Sequence, residues 1–379
     1  MGLARQAQAP VLRVESGDTI VIETMMHSHN QVVPGKTIDE IKKLRTDFPG
    51  RGSHTLTGPI YVNGAAPGDV LKIKLNRIVP GAYGTNFNVP GMFGQFPKDY
   101  PDGQVKFFYL DWERKEAEFL PGIIIPLKPF PGILAVARKE PGRYSSVPPG
   151  EFAGNMDIRD FTEGATLYVP VHVPGALVWT GDSHAAQGNG EVNLTALETS
   201  YKEMNVTVDV LKNMNIDFPR IETGKSWITM GFDQDLNKAL DFAKAQTAKL
   251  LAEQRKISED EAAKVMSTVS DCRISQVVNI KKGVHCLNPK NAQDKEDMER
   301  PTKETTQYYV SHAQSADLNK AMDDASRGMI QFLEKQKGIA RLDAYGLASV
   351  AMDCRVGDSS GAEKNVHCLM PKNLWRASR

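Results

Sequence analysis

The sequence predicts an α+β protein that is mainly β: a β-sandwich or barrel-like core followed by two helix-helix-strand repeats. Three observations predict it. Between Val11 and about Pro219, short alternating or β-branched runs are separated by Pro-Gly and Asn-Gly turn signals. After Trp227 the apolar spacing becomes that of a helix face. A stretch of that helical part then occurs a second time.

In the β-rich part the expected strands include Thr19 to Ile22, Ile60 to Val62, Val70 to Leu75, Ile123 to Pro126, Ile133 to Val136, Thr166 to Val173 and Val206 to Val210. Leu236, Leu240, Ala243, Leu250 and Leu251 mark one face of a helix. A second helix starts at Ser258, with Glu261 completing a capping box. Asp235-Leu-Asn-Lys-Ala239 returns as Asp317-Leu-Asn-Lys-Ala321, Asp271-Cys-Arg273 as Asp353-Cys-Arg355, and Val284-His-Cys-Leu287 as Val366-His-Cys-Leu369. Each pair is offset by 82 residues (317 − 235 = 82), so the copies align without a gap. Two copies are too few for a solenoid. The expected organisation is therefore a β-rich core over 1–226, a first repeat over 227–291, a charged linker over 292–308, and a second repeat with a tail over 309–379.

Composition narrows the function classes. At 379 residues, 41% hydrophobic and 24% charged, the chain can bury a sizeable core. Lys plus Arg and Asp plus Glu number 46 each, so no net field favours nucleic acid or anionic lipid. The longest apolar runs, such as Gly122 to Pro126 and Gly175 to Trp179, fall far short of the roughly 18 to 20 residues that span a bilayer. A soluble protein is expected, cytoplasmic or periplasmic, because Ala7-Gln8-Ala9 matches a trimmed signal site as well as it matches an ordinary tail. Cys272 with Cys286 and Cys354 with Cys368 form two equivalent pairs, either disulfides or buried thiols. His285 and His367 beside them are also weighed as metal ligands, although each copy then falls one ligand short of a tetrahedral zinc site.

The densest polar cluster is Gly181-Asp-Ser-His-Ala-Ala-Gln-Gly-Asn-Gly-Glu191, directly after a strongly β-like run. Asp182 and His184 are two apart, so on an extended chain they share a face, a spacing suited to one metal ion or one shared proton. The glycines allow close approach of backbone to a small ligand. A polar hairpin loop is the alternative. Asn155 and Asp157 could add an amide and a carboxylate, or form an Asx-type turn. His54 and the His27-Ser-His29 pair complete the N-terminal histidines, with a purely structural role as the alternative. No Walker loop or dinucleotide fingerprint is present, and Ser183 stands in a different context from a nucleophile elbow, which weakens serine-hydrolase and nucleotide readings.

The string from Ala165 to Glu191 resembles the signature of the acetamidase/formamidase family. The resemblance extends to His54-Thr-Leu-Thr-Gly-Pro-Ile-Tyr-Val62 with Gly68-Asp69, to Gly154-Asn-Met-Asp157 and to Asp271-Cys-Arg-Ile-Ser-Gln-Val-Val278, covering roughly Val11 to Asn291. It implies a β-rich amidohydrolase, cleavage of short aliphatic amides to carboxylate and ammonia, and a homo-oligomer. Asn189 departs from the family's Gly-Asp-Gly-Glu pattern, Phe152 stands where a histidine is usual, and the second copy extends beyond the usual length.

On that resemblance the expected site has Asp182 and His184 holding a divalent metal such as Zn²⁺, with Asp157, His54 or His29 completing its shell. Glu191 moves a proton from water to the leaving nitrogen, and Asn155, Gln187 and Asn189 contact the substrate. The partner is a small amide, with neither nucleic acid nor membrane involved. A non-catalytic small-ligand binder on the same scaffold and a hydrolase of a larger amide or lactam are the alternatives.

Overall fold

The computed structural model describes residues 3–5, 8–48, 51–295, 298–357, 359 and 361–376. Ala7, part of the candidate signal site, lies outside them. Strands outnumber helices, as expected, and the chain divides into two compact units. The first contains Met1–Thr85, Lys128–Ala185 and Glu198–Gly224; the second contains Asn86–Leu127, Ala186–Leu197 and Lys225–Arg379. Residues 86–127 and 186–197 thus group with the helical part, although they lie inside the sequence range expected to form the core.

The strands that position the site are numbered here in chain order. In the first unit they are β1 (Leu12–Val14), β2 (Thr19–Ile22), β3 (Leu56–Val62), β4 (Val70–Pro80), β5 (Phe130–Ala135), β6 (Ala153–Asn155), β7 (Thr166–Pro170), β8 (Val178–Ala186), β9 (Tyr201–Leu211) and β10 (Arg220–Glu222). Strand β8 is buried along its whole length. It pairs antiparallel with β5 on one side, Phe130 opposite His184, and with β3 on the other, Leu56 opposite Gly181. Strands β6 and β1 extend this layer. A second antiparallel sheet runs β10-β7-β4-β9-β2. Ile73, Leu75, Leu167, Val169, Val206, Val208 and Ile221 form its buried face, the alternation of a strand with one side in the core.

The second unit contains the duplicated segment, and each copy has more strands than the sequence suggested. The first copy is β11 (Ser226–Asp233), α2 (Leu236–Arg255), α3 (Glu259–Val269), β12 (Asp271–Gln276) and β13 (Lys282–Pro289), where α1 denotes Ile38–Thr46 in the first unit. The second copy is β14 (Tyr308–Ser315), α4 (Leu318–Lys337), α5 (Arg341–Ala351), β15 (Asp353–Val356) and β16 (Lys364–Pro371). The Val-His-Cys-Leu strand of each copy is central, β13 lying between β11 and β12, and β16 between β14 and β15. The run after Trp227 and the Asp-Cys-Arg segment are strands paired with β13, and burial of both faces suppresses the alternation that marks a half-exposed strand.

The copies meet through antiparallel pairing of β12 with β15, with Arg273 opposite its equivalent Arg355. At the helix starts, Asn237 Nδ2 donates to Asp317 (2.8 Å) while Asn319 Nδ2 donates to Asp235 (2.7 Å). Each aspartate also caps its own helix by accepting an amide N–H. The Ser258 capping box is formed as expected. Cys272–Cys286 and Cys354–Cys368 are disulfides joining residues directly opposite on neighbouring strands. Sulfurs bonded to each other cannot serve as thiolate ligands, so His285 and His367 do not form cysteine-assisted zinc sites.

Candidate functional site

In the first unit, β8 carries Asp182 and His184 into a fully buried polar cluster. Asp182 has left-handed backbone (φ 54), as does Asp157 after β6 (φ 49). That conformation costs a non-glycine residue about 1–2 kcal/mol and is concentrated at functional positions. The carbonyl of Gly132 on β5 accepts the Met156 amide (3.0 Å), which brings the turn bearing Asp157 alongside the cluster. Gly132 itself has no room for a side chain. A Cβ there would lie 2.7 Å from each of Asp157 Oδ1, Asp182 Oδ2 and His184 Cε1.

The imidazole of His184 is the hub. Its Nε2 lies 3.5 Å from Asp182 and 3.3 Å from Glu198, and its Nδ1 lies 4.0 Å from Asp157. Neither ring nitrogen makes a hydrogen bond of ordinary geometry, although the residue is wholly buried. The Phe130 ring meets the imidazole edge-on at 5.0 Å. His27 Nε2 lies 2.7 Å from Asp182 and 3.2 Å from Glu198. His54 Nε2 lies 3.8 Å from Asp182, and its Nδ1 bonds Ser146 at 2.9 Å.

Burial and charge divide these groups. Burial opposes charge on His27, but Glu198 and Asp182 outweigh it and push the residue up to about 9. His54 is pushed down to about 4 by burial, with His27 and Arg45 adding to the effect. Burial alone would raise both carboxylates, yet the surrounding histidines hold Asp182 well below the usual range and Glu198 at about 2. The two neighbouring imidazoles are thus shifted in opposite directions, His27 up and His54 down.

Asp182, His184 and Glu198 place ligand atoms close enough to share one cation, as do His27, His54 and Asp182. Buried nitrogen and carboxylate groups, together with an imidazole whose nitrogens lack ordinary hydrogen bonds, could hold a metal ion.

Of the residues expected from the sequence, Asp182, His184, Asp157 and His54 are brought together. His29 is not, since it is exposed while His27 is buried in its place. Ser28 and His29 have left-handed backbone (φ 51 and 57), so the strand alternation that would pair His27 with His29 does not apply. Asn155 is buried, with its amide on the Val147 carbonyl (3.1 Å). Gln187, Asn189 and Glu191 belong to the second unit. There Gln187 donates to the Ser275 carbonyl (3.2 Å), Asn189 to Asp353 (2.6 Å), and Glu191 accepts from Asn279 (3.4 Å). Sequence reasoning missed Glu198, which lies in an ordinary-looking Leu-Glu-Thr strand. A fully buried acid would have been its signal, and burial is not legible from one sequence.

Comparison with known proteins agrees with the motifs. The model of the acetamidase/formamidase family matches residues 7–141 and 139–362, past Asn291 and into the second copy. An acetamidase of Mycolicibacterium smegmatis is 28% identical over 258 residues, 52% of this chain and 63% of that protein. A formamidase of Methylophilus methylotrophus is 22% identical over 262 residues, 54% of this chain and 62% of that one. The matched region thus spans less than two thirds of the curated relatives' length. The crystal structure of an acetamidase from Bacillus halodurans superposes with a TM-score of 0.70 at 27% identity, covering 76% of this chain and 94% of that one.

Proposed function

The chain belongs to the acetamidase/formamidase family, and from that premise we propose that it hydrolyses the C–N bond of a small aliphatic amide, releasing carboxylate and ammonia. The observation that carries the proposal is the buried cluster of Asp182, His184 and Glu198 with His27 and His54 beside it. Water adds to the carbonyl carbon, the C–N bond breaks, and the nitrogen leaves with a proton. A divalent cation, when held by Asp182, His184 and Glu198, supplies a lowered pKa for water and polarisation of the carbonyl.

The remaining work falls to side chains. His27, 2.7 Å from Asp182, is the proton donor for the leaving nitrogen. His54, whose basicity burial lowers, stays neutral beside Asp182, with Ser146 fixing its ring. Asp157 faces Nδ1 of His184 and orients it. Glu191, to which the sequence assigned proton transfer, is the alternative carrier. Homo-oligomeric assembly, which the resemblance implies, belongs to the same proposal. Among the described residues no helix is long and apolar enough to cross a membrane.

The test is a panel of formamide, acetamide and longer amides, with ammonia as the readout, run with and without a chelator. Ammonia release abolished by the chelator and restored by Zn²⁺ supports the proposal. Binding of amides without turnover favours the ligand-binding alternative.

A further inference from the structure

The ring of His184 is surrounded by carboxylates, yet what holds its main chain is a tyrosine from the other sheet of the first unit. Tyr201 begins β9 and is 2% exposed. Its hydroxyl accepts the His184 N–H (3.1 Å) and donates to the His184 carbonyl (2.9 Å), so one phenol satisfies both peptide groups of that residue. A strand neighbour would ordinarily do this, and a phenol does it from a rigid side chain with few rotamers to lose.

The phenol is itself anchored. The Tyr201 N–H donates to Thr24 Oγ1 (2.7 Å), and the Thr24 N–H donates to the Tyr201 carbonyl (3.1 Å). The Thr24 hydroxyl is bonded in turn to Ser183 Oγ (2.6 Å), the residue before His184. Thr24, Ser183 and Tyr201 are all buried, so water does not compete for these bonds. Three residues before Tyr201 stands Glu198, whose carboxylate reaches the His184 ring at 3.3 Å. One four-residue segment, 198–201, therefore grips both the ring and the main chain of the same histidine.

We propose that Tyr201, braced by Thr24 against Ser183, is the positioning residue of the site: it fixes the main chain of His184 so that the imidazole keeps its place among Asp182, Glu198 and Asp157. The inference rests on the reading of His184 as the chemical centre and goes beyond it by assigning the alignment to a hydroxyl that touches no reacting atom. Reacting groups displaced by about 1 Å lose on the order of a hundredfold in rate, so such a brace has a measurable effect.

The experiment compares wild type with Tyr201→Phe, which keeps the ring and removes only the hydroxyl, and with the pair Thr24→Val and Thr24→Ser. Two readouts are taken: kcat and KM for formamide from ammonia release, and the ¹⁵N chemical shifts of the histidine rings in protein labelled at histidine. Tyr201→Phe is expected to lower kcat by about 10- to 100-fold with KM within roughly twofold, as expected for lost alignment rather than lost binding. It should also move the ring signals of His184 while leaving those of His285 and His312 in place. Thr24→Val should reproduce part of both effects, and Thr24→Ser should restore wild-type behaviour. Unmoved His184 signals with kcat within roughly twofold of wild type would overturn the assignment. If wild type releases no ammonia from any amide, the amidase reading falls, and the His184 ring shifts alone decide whether Tyr201 aligns it.

Discussion

The side-chain amide of Asn189 donates a 2.6 Å hydrogen bond to Asp353 Oδ1, and both residues are buried. The Cys354 N–H also reaches the Asn189 carbonyl (3.2 Å), and the Gly188 N–H reaches the Ser349 carbonyl (2.9 Å). From the first copy, the Ser275 carbonyl accepts the Gly190 N–H (3.1 Å). Both copies thus hold the glycine-rich run that leads to Glu191. Residue 189 carries an amide because its neighbour is a carboxylate already paired with Arg355 at 2.7 Å.

Asn189→Asp is therefore expected to destabilise the protein, since it sets two carboxylates against each other in a buried place. The expected cost is about 3 kcal/mol, with partial recovery on adding Asp353→Asn. Urea unfolding of the single and double variants checks this. A single variant as stable as wild type would mean the pair does not carry the constraint.

The two copies provide an internal comparison of helix ends. Helix α4 ends at Gly338 in left-handed conformation (φ 64), while the equivalent residue after α2 is Lys256, also left-handed (φ 55). Lys256→Gly relieves a side chain held where glycine is preferred, and a gain of about 1 kcal/mol is expected. A shift of the urea midpoint to higher concentration with an unchanged slope is the expected outcome.

Gly132→Ala probes how tightly the cluster is packed. The added methyl would sit 2.7 Å from Asp157, Asp182 and His184, so these groups must move apart. Turnover of a small amide is expected to fall by at least about a hundredfold, while far-ultraviolet circular dichroism stays that of wild type. Activity near wild type would show that the cluster tolerates displacement and would argue against a tight constellation.

Much of this was legible in the sequence, for identifiable reasons. Asp182, His184, Asp157 and His54 stand in glycine-flanked motifs whose composition is hard to explain by packing alone. The duplication was visible as a constant offset, and Ser258 with Glu261 announced a helix start. What was hidden depends on tertiary structure. Whether His27 or His29 turns inward is decided by two left-handed residues, and Glu198 is defined by a burial that one sequence does not display. Tyr201 looks like any strand aromatic until its hydroxyl is seen on the His184 peptide. Strands β11 and β12 were missed because both their faces are buried, leaving no period-two signal.

The most direct measurement is ammonia release from formamide and acetamide by wild type and by His184→Ala, with folding of both checked by circular dichroism. Steady release by wild type and a loss of at least about a thousandfold in His184→Ala, with the fold retained, are expected. A folded His184→Ala protein that releases ammonia at the wild-type rate would contradict the assignment of His184.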